Sequence, residues 1–327
     1  MLKKQMLSFD IGTFNTKVVL GKGTESKITL KDAFTFRTPE GTIEDGQILD
    51  TLLLKEKILQ NLDERNIFTD KAVFTLASTK VIMRELTFPY INENKLETMV
   101  FYELPKHLPI SVDNYVIKHL TLEVYKDENI KKARVLVMAL PKQIVKKYWD
   151  LCIDLEIEPI VMTLHGIGAG GFFQQKSEVT GEPETVALID LGNSSINCNI
   201  ISNGKLVFNR IISTVGMKTN LEKLANIDKD LSPTNYEKIV KDAFDKWLDE
   251  IKLVFRFYYS LKGRSEIERV VLLGGASNIK DIALYFEDKL EKTTMVLQDN
   301  GRIIYKGNDD DFKLNQYFNA ASALSLS

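Results

Sequence analysis

The chain has 327 residues, of which 44% are hydrophobic and 27% are charged, and its formal net charge is −2. This composition is typical of a globular protein with a large core, and the length predicts two domains. The balanced charge argues against a nucleic-acid partner. Two cysteines without a CxxC spacing argue against a zinc site or a disulfide framework. No apolar run reaches the roughly 18 residues that cross a membrane, so we expect a cytoplasmic protein.

The first informative stretch is LSFDIGTFNTK, residues 7–17, in which an apolar run ends on Asp10 and a glycine follows two residues later. This pattern predicts a strand that runs into a tight polar turn. Glycine lets backbone N–H groups approach an anion, lysine adds a positive charge, and aspartate can hold a hydrated magnesium ion. Alone, the stretch is a weak candidate for phosphate binding, because many strand ends carry Asp and Gly.

The next residues complete the first part of the chain. Two strands at residues 17–20 and 26–30 are expected to pair across a glycine-containing turn. A helix is predicted over residues 51–62 from its apolar face, and a strand over residues 71–77.

The middle section changes character and predicts a compact α+β insert over residues 83–157. Asn92 offers an N-cap for a helix that we expect Pro105 to end. An alternating stretch and a strand over residues 131–140 follow, and Pro141 opens another helix. The order helix, strand, strand, helix indicates a separate small subdomain.

The segment after the insert is predicted to be a strand over residues 158–161 that leads into a helix from about Thr163. Its GIGAGG run, residues 166–171, resembles a phosphate loop but lacks the lysine of a P-loop. Small residues on a helix are more typical of close helix packing. We therefore expect these glycines to serve packing.

A second stretch repeats the pattern of the first. Residues 186–199 read VALIDLGNSSINCN, again an apolar run followed by an aspartate, a glycine and small polar residues. Its aspartate, Asp190, stands 180 residues after Asp10. Two such units indicate a duplicated domain with one phosphate loop from each half.

The remaining elements follow the second loop. Asn203-Gly204 predicts a hairpin turn, and helices are expected up to about residue 226 and over residues 233–261. A buried strand over residues 269–273 then ends in Gly274-Gly275, which would leave room for a flat ring or a phosphate at the start of a helix from residue 278. A short helix over residues 317–326 closes the chain.

Three motifs therefore stand in fixed order: DIGTFNTK at residues 10–17, DLGNSS at 190–195 and LLGGASNIK at 272–280. Together they resemble the first phosphate loop, the second phosphate loop and the adenosine loop of the actin-like ATPase superfamily. That superfamily includes actin, heat-shock chaperones, sugar kinases and the cell-division protein FtsA. The resemblance covers essentially the whole chain.

The resemblance implies an α/β protein with a duplicated actin-like ATPase fold and an FtsA-like α+β inserted subdomain. The first half would comprise residues 1–82 together with the returning helix 312–327. The insert would comprise residues 83–157, and the second half residues 158–327.

The insert selects a branch of the superfamily. RELTFPYINENKLETMVFYELPKHLPIS and VLVMALPKQIVKKYWDLCIDLEIEP resemble the corresponding section of PilM proteins of type IV pilus assembly. This implies a cytoplasmic scaffold on the inner face of the cell membrane, attached through partners. It would bind the N-terminal cytoplasmic peptide of the membrane protein PilN beside the insert and link the pilus platform to motor proteins. Self-association stays open.

The superfamily resemblance also implies ATP and magnesium as ligands. Asp10 and Asp190 would hold magnesium, mostly through water. The resemblance implies four further groups of nucleotide-binding positions. The phosphates would be lined by Gly12, Thr13, Asn15 and Lys17, and the opposite side would be closed by Gly192, Asn193 and Ser194. Gly216 stands where the family often has a glycine pair, and the adenosine would be flanked by Gly274, Gly275 and Ser277.

Hydrolysis is expected to be slow or absent. Thr163 stands where pilus-family sequences are expected to carry an aspartate that positions the attacking water. Threonine can orient water but is a poor general base at neutral pH. Thr163 is thus the candidate catalytic residue of a protein that binds ATP tightly.

Three other functions remain open at this point. A small sugar kinase would usually carry a cysteine-rich zinc segment and an acidic base, whereas this chain has two isolated cysteines. An FtsA-like filament former would usually end in a basic amphipathic helix, whereas no Lys or Arg follows Lys313. A generic ATP-binding scaffold with a different partner would differ only in the surface of the insert.

Overall fold

A computed structural model describes residues 5–25, 27–107, 111–174, 181, 184–214, 233–261, 263–298 and 301–327. The helices are α1 (Thr51–Glu64), α2 (Glu93–His107), α3 (Lys142–Asp154), α4 (Pro233–Ser260), α5 (Ile282–Leu290) and α6 (Leu314–Ala323). The strands are β1 (Met6–Ile11), β2 (Asn15–Thr24), β3 (Lys27–Arg37), β4 (Ile43–Glu44), β5 (Gln47–Ile48), β6 (Lys71–Leu76), β7 (Ile82–Pro89), β8 (Tyr115–Asp127), β9 (Ile130–Pro141), β10 (Glu158–Leu164), β11 (Thr185–Leu191), β12 (Ser195–Ser202), β13 (Lys205–Ser213), β14 (Arg269–Leu273), β15 (Thr293–Val296) and β16 (Ile303–Tyr305).

The first half is built on a sheet with the strand order β10-β6-β1-β2-β3-β16. Strand β1 runs antiparallel to β2 and parallel to β6. Helices α1 and α3 cover one face, where Ile58 and Tyr148 are buried in one cluster with Phe9 and Phe74. The carboxylate of Asp50 caps α1 by accepting a hydrogen bond from the backbone N–H of Leu53 at 3.0 Å.

The second half repeats this arrangement in a sheet with the order β13-β12-β11-β14-β15. Strand β11 runs antiparallel to β12 and parallel to β14, as β1 does with β2 and β6. The hairpin between β12 and β13 turns at Asn203 and Gly204, which both have positive φ, as a tight two-residue turn requires. Trp247 and Ile251 of α4 are buried in the same cluster as this sheet.

Helix α6 connects the two halves. Nearly all of its residues are buried, as a helix enclosed between two sheets must be. The hydroxyl of Ser8 on β1 donates a hydrogen bond to the carbonyl of Ala320 at 2.6 Å. From the second half, the backbone N–H of Gly274 donates to the carbonyl of Asn315 at 2.9 Å.

The insert has its own three-stranded sheet, in the order β7-β9-β8. Leu96 and Val100 of α2 pack against Val135 on one face of this sheet. On the other face, Leu122 and Leu136 join the large cluster that contains the second half. The sheet of the insert is therefore packed between α2 and the body of the protein.

The prediction of a helix from Thr163 is wrong. Strand β10 continues to Leu164, and turns follow until a short 3-10 helix, Gly170–Phe172. Gly166 has a φ of +86°, and a side chain at Gly168 would approach the carbonyl oxygen of Ser322 to 2.5 Å. The small residues thus allow close packing, as expected, but in a turn, because their backbone must approach other backbone closely.

Two further boundaries differ from the sequence analysis. The helix expected from residue 278 begins at Ile282, after a 3-10 turn over Gly275–Asn278. Helix α2 runs through Pro105 to His107, so the proline lies within the helix and does not end it.

The predicted start of the second half at residue 158 differs from the sheet membership. Strand β10 pairs in parallel with β6 and so lies in the first sheet. Strand β16 pairs with β3 in the same sheet, so the chain returns to the first half before residue 312, where the predicted return began. Helix α3 belongs to the same core, since the hydroxyl of Tyr148 donates to the carbonyl of Gly46 at 3.1 Å. The helix expected near residue 226 lies outside the described residues.

None of the helices in the described ranges combines the length and apolarity needed to cross a bilayer.

Candidate functional site

The loops that follow β1 and β11 have the same backbone geometry. In the first loop, residues 12–15, the N–H of Gly12 donates to the carbonyl of Asn15 at 3.1 Å. In the second loop, residues 192–195, the N–H of Gly192 donates to the carbonyl of Ser195 at 3.0 Å. The duplication predicted from the two aspartates therefore extends to individual hydrogen bonds.

The two loops meet across the space between the halves. The hydroxyl of Thr13 donates a hydrogen bond to the hydroxyl of Ser194 at 3.0 Å. Each loop is also supported from behind, because the hydroxyl of Thr38 donates to the carbonyl of Gly12 at 2.8 Å and the N–H of Thr214 donates to that of Ser194 at 3.0 Å. The loops thus form the two walls of one polar cleft.

Asp10 is buried at the end of β1 and is surrounded by cationic or protonatable groups. Lys17 Nζ lies 3.5 Å from its Oδ2, and His165 Nε2 lies 3.2 Å from its Oδ1. Burial raises the pKa of the Asp10 carboxyl, but Lys17 and His165 outweigh this effect and hold the pKa well below its usual range. Burial lowers the pKa of Lys17, yet Asp10 and Asp190 raise it overall. The pair is therefore ionised at neutral pH.

Asp190 occupies the equivalent place at the end of β11. The amide of Asn319 on α6 donates to its Oδ2 at 2.7 Å, and His165 Nδ1 lies 3.6 Å from the same oxygen. His165 is 7% exposed and contacts both carboxylates. One imidazole therefore bridges the aspartates of the two halves.

The candidate catalytic residue Thr163 lies in the same row of the first sheet as Asp10. In register, Lys17 stands opposite Asp10, Asp10 opposite Thr75, and Thr75 opposite Thr163. Side chains that stand opposite one another in neighbouring strands project from the same face. Thr163 therefore projects from the same face of the sheet as Asp10, two strands away, and lies on a strand rather than at the start of a helix.

The glycine pair lies directly behind Asp190. Gly274 has a φ of +84°, and any side chain there would collide with Asp190 Oδ1. Ser277 donates its hydroxyl hydrogen to the carbonyl of Gly274 at 2.7 Å and accepts a hydrogen bond from the amide of Asn315 at 2.7 Å. A side chain at Gly275 would meet no atom of the described residues within 4 Å, so no other part of the described chain fills the space beside this position.

Several buried polar atoms at the cleft have no hydrogen-bond partner within the described part of the chain. They are His165 Nδ1, Asp190 Oδ1, Asn193 Nδ2 and Asn197 Nδ2. A buried donor or acceptor without a partner costs free energy, so it indicates a ligand or water at that place. Amide donors beside a buried carboxylate are the groups that a phosphate with a hydrated cation would use.

The structure brings together most of the residues predicted for the site. Asp10, Thr13 and Lys17 face Asp190 and Ser194, with the glycine pair behind Asp190, whereas Gly216 lies outside the described residues. Sequence analysis missed His165, Asn197, Asn315 and Asn319. Asn197 had a signal, since it follows Asp190 at the spacing at which Lys17 follows Asp10, but the others are distant in sequence and had none.

A model of the family described as type IV pilus assembly protein PilM matches residues 8–323. The chain belongs to the PilM family. Among solved structures, the PilM-PilN type IV pilus biogenesis complex is similar, with a TM-score of 0.77 and 20% identity over 98% of this chain and 97% of that chain. This PilM-family chain is therefore a type IV pilus assembly protein, as the insert predicted.

More distant structures share the fold. The ethanolamine utilization protein EutJ from Carboxydothermus hydrogenoformans aligns with a TM-score of 0.56 and 12% identity over 100% of this chain and 90% of that chain. MreB 5 of Spiroplasma citri bound to AMPPNP aligns with a TM-score of 0.50 and 12% identity over 90% and 92%. The predicted actin-like α/β fold is thus confirmed.

Proposed function

We propose that this PilM-family protein binds ATP with magnesium in the cleft between the two loops and acts as a scaffold rather than as a fast ATPase. The observation that carries the proposal is the pair of mirrored loops, joined by Thr13 and Ser194 above two buried carboxylates. The nucleotide-bound state of the MreB 5 structure, which has the same fold, supports it.

The residues of the cleft fit this ligand. Backbone N–H groups of both loops, the hydroxyls of Thr13 and Ser194 and the ammonium of Lys17 are the donors that a triphosphate needs. Asp10 and Asp190 would hold magnesium, mostly through water, and the ion would neutralise phosphate charge. Gly275, beside which no other part of the described chain fills the space, and the Gly274-Ser277 turn would flank the adenosine.

Slow turnover follows from the groups around the cleft. Thr163 can orient a water molecule but is a poor general base. Both buried carboxylates are already engaged, Asp10 by Lys17 and His165 and Asp190 by Asn319. We therefore infer that bound ATP holds the halves together for long periods instead of being hydrolysed rapidly.

As a scaffold, the protein would attach to the membrane through a partner protein. The similar PilM-PilN complex supports PilN as the partner, and we propose that this chain binds the N-terminal cytoplasmic peptide of a PilN-type protein beside the insert. Such binding would hold the protein on the inner face of the membrane and connect it with motor components of the pilus machinery.

Isothermal titration of the purified protein with ATP and Mg²⁺ tests the nucleotide part of the proposal. We expect micromolar or tighter binding that needs Mg²⁺ and that Asp190→Asn weakens by tenfold or more. Asp127→Asn is the matched control, because Asp127 pairs with Lys132 on the exposed edge of the insert. Absence of binding by the wild-type protein, or equal binding by Asp190→Asn, would contradict it.

A further inference from the structure

Three asparagines form a hydrogen-bonded network on β12 and β13, next to the second loop. The amide of Asn209 donates to Asn197 Oδ1 at 2.6 Å and to Asn199 Oδ1 at 2.8 Å. Asn197 and Asn199 are both nearly fully buried. The side-chain oxygens of both Asn197 and Asn199 therefore accept hydrogen bonds from Asn209.

Asn197 has the same relation to the second loop that Lys17 has to the first. It stands opposite Asp190 in register, as Lys17 stands opposite Asp10. Its side chain therefore projects from the same face of the sheet as Asp190. Each half thus presents one donor beside its buried carboxylate, an ammonium in one and an amide in the other.

The donor side of Asn197 has no partner in the described ranges of the chain. Because Asn209 holds Oδ1, the NH₂ group of Asn197 is directed away from Asn209. A buried N–H donor fixed in this way is costly unless a ligand accepts its hydrogen bond.

We propose that Asn197 is a further contact to the phosphates of the nucleotide and that Asn209 is its positioning residue. This inference rests on the proposed ATP-binding function and extends it to residues beyond the loops. Asn197 contributes a neutral donor opposite the charged Lys17, so the phosphates are held from both halves. Asn209 acts only through Asn197, by keeping the amide from rotating.

The test compares ATP affinities of full-length variants by isothermal titration in the presence of Mg²⁺. Asn197→Asp keeps the oxygen that accepts from Asn209 but replaces the free donor by a carboxylate oxygen. Loss of a hydrogen bond to a charged group predicts about tenfold to hundredfold weaker binding. Asn197→Ala removes the donor without adding a charge, and we expect about fivefold or more; it keeps the test valid should the aspartate variant fail to fold.

Asn209→Ala is expected to weaken ATP binding about threefold or more, because it frees the amide of Asn197 to rotate. The matched control is Thr185→Val, which removes a part-buried hydrogen bond of 2.9 Å between Thr185 on β11 and Ser202, at the end of β12 that lies away from the second loop. Both variants should lower the melting temperature of the nucleotide-free protein, but only Asn209→Ala should change the affinity for ATP.

Three outcomes would overturn all or part of the inference. If Asn197→Ala or a folded Asn197→Asp binds ATP as the wild-type protein does, Asn197 is no phosphate contact and the proposed function stands. If Thr185→Val loses as much affinity as Asn209→Ala, the role of Asn209 is purely structural. If the wild-type protein binds no ATP, the proposed function itself fails, and this inference fails with it.

Discussion

At the scale of single residues, the two aspartates of the cleft differ in how their charge is compensated. Asp10 contacts the ammonium of Lys17 and the imidazole of His165, whereas Asp190 accepts a hydrogen bond from the neutral amide of Asn319. A buried carboxylate without a partner is strongly destabilising, so each partner contributes to stability. His165 contributes to both halves because it contacts both aspartates.

Replacement of Lys17 by Met should lower the free energy of unfolding in urea by about 3 kcal/mol, because among the described residues Asp10 then keeps only His165 as a compensating group. The pKa of Asp10 is depressed, so its contribution to stability is present above its unfolded pKa, near 4, and is lost as pH falls. Part of the acid sensitivity of the wild-type protein should therefore disappear in Lys17→Met.

The control for this prediction is Lys71→Met, which removes an exposed pair with Glu158 at 3.3 Å. A surface pair contributes less than about 1 kcal/mol. If the two variants lose the same free energy of unfolding, the buried Asp10–Lys17 pair contributes no more to stability than a surface pair.

Cys152 and Cys198 should be unreactive in the native protein. Both are buried, and burial raises the pKa of each thiol to about 12. At pH 8 they therefore remain thiols, whereas the reactive species is the thiolate. Labelling with a chromogenic disulfide reagent should detect two thiols in urea and none within minutes in buffer; rapid native labelling would contradict the burial.

At the scale of elements, the insert is attached to the second half by charged side chains. Arg264, which follows α4, lies with one guanidinium nitrogen 2.8 Å from Glu85 on β7 and is 7% exposed. The ammonium of Lys205 on β13 donates to the carbonyls of Thr121 and Leu122 at 2.7 and 3.0 Å. These contacts join the sheet of the insert to the half that carries the second loop.

Arg264→Gln should lower the free energy of unfolding by roughly 2 kcal/mol, which is less than the usual loss when a buried pair is broken, because Glu85 retains Arg134 nearby. Hydrogen exchange of β7 and β8 should accelerate, since the insert loses an attachment. Lys289→Gln, which removes an exposed pair with Asp288, serves as the control and should change neither quantity. Unchanged exchange in Arg264→Gln would show that the Arg264–Glu85 pair does not hold the insert in place.

Elements with a local signal were predicted well from the sequence. The hairpin at Asn203-Gly204 and the N-cap at Asn92 follow from backbone preferences of a few residues, and Asn92 indeed accepts from the N–H of Lys95. The turn after Thr163 was missed, because the glycines there respond to distant backbone such as that of Ser322. Long-range packing overrode a local pattern that favoured a helix.

At the scale of the whole molecule, duplication was the part of the site that sequence could reveal. The repeated aspartate and glycine predicted two facing loops, and Thr13 and Ser194 do meet. His165 and Asn319 could not be assigned to the site, because they lie 155 and 129 residues from the aspartates to which they bind. The folded structure is needed to see that α6 and the turn after β10 contribute side chains to the same cleft.

We propose that nucleotide in the cleft and peptide beside the insert stabilise the same arrangement of the two halves. Coupling of this kind is reciprocal, so ATP should strengthen peptide binding by the factor by which the peptide strengthens ATP binding. The most direct measurement is the fluorescence anisotropy of a labelled N-terminal PilN peptide, titrated with the protein in the presence and absence of ATP and Mg²⁺. We predict about fivefold or greater tightening with ATP in the wild-type protein and none in Lys17→Met, which should keep the nucleotide-free affinity. Equal peptide affinity with and without saturating ATP in the wild-type protein would contradict the account.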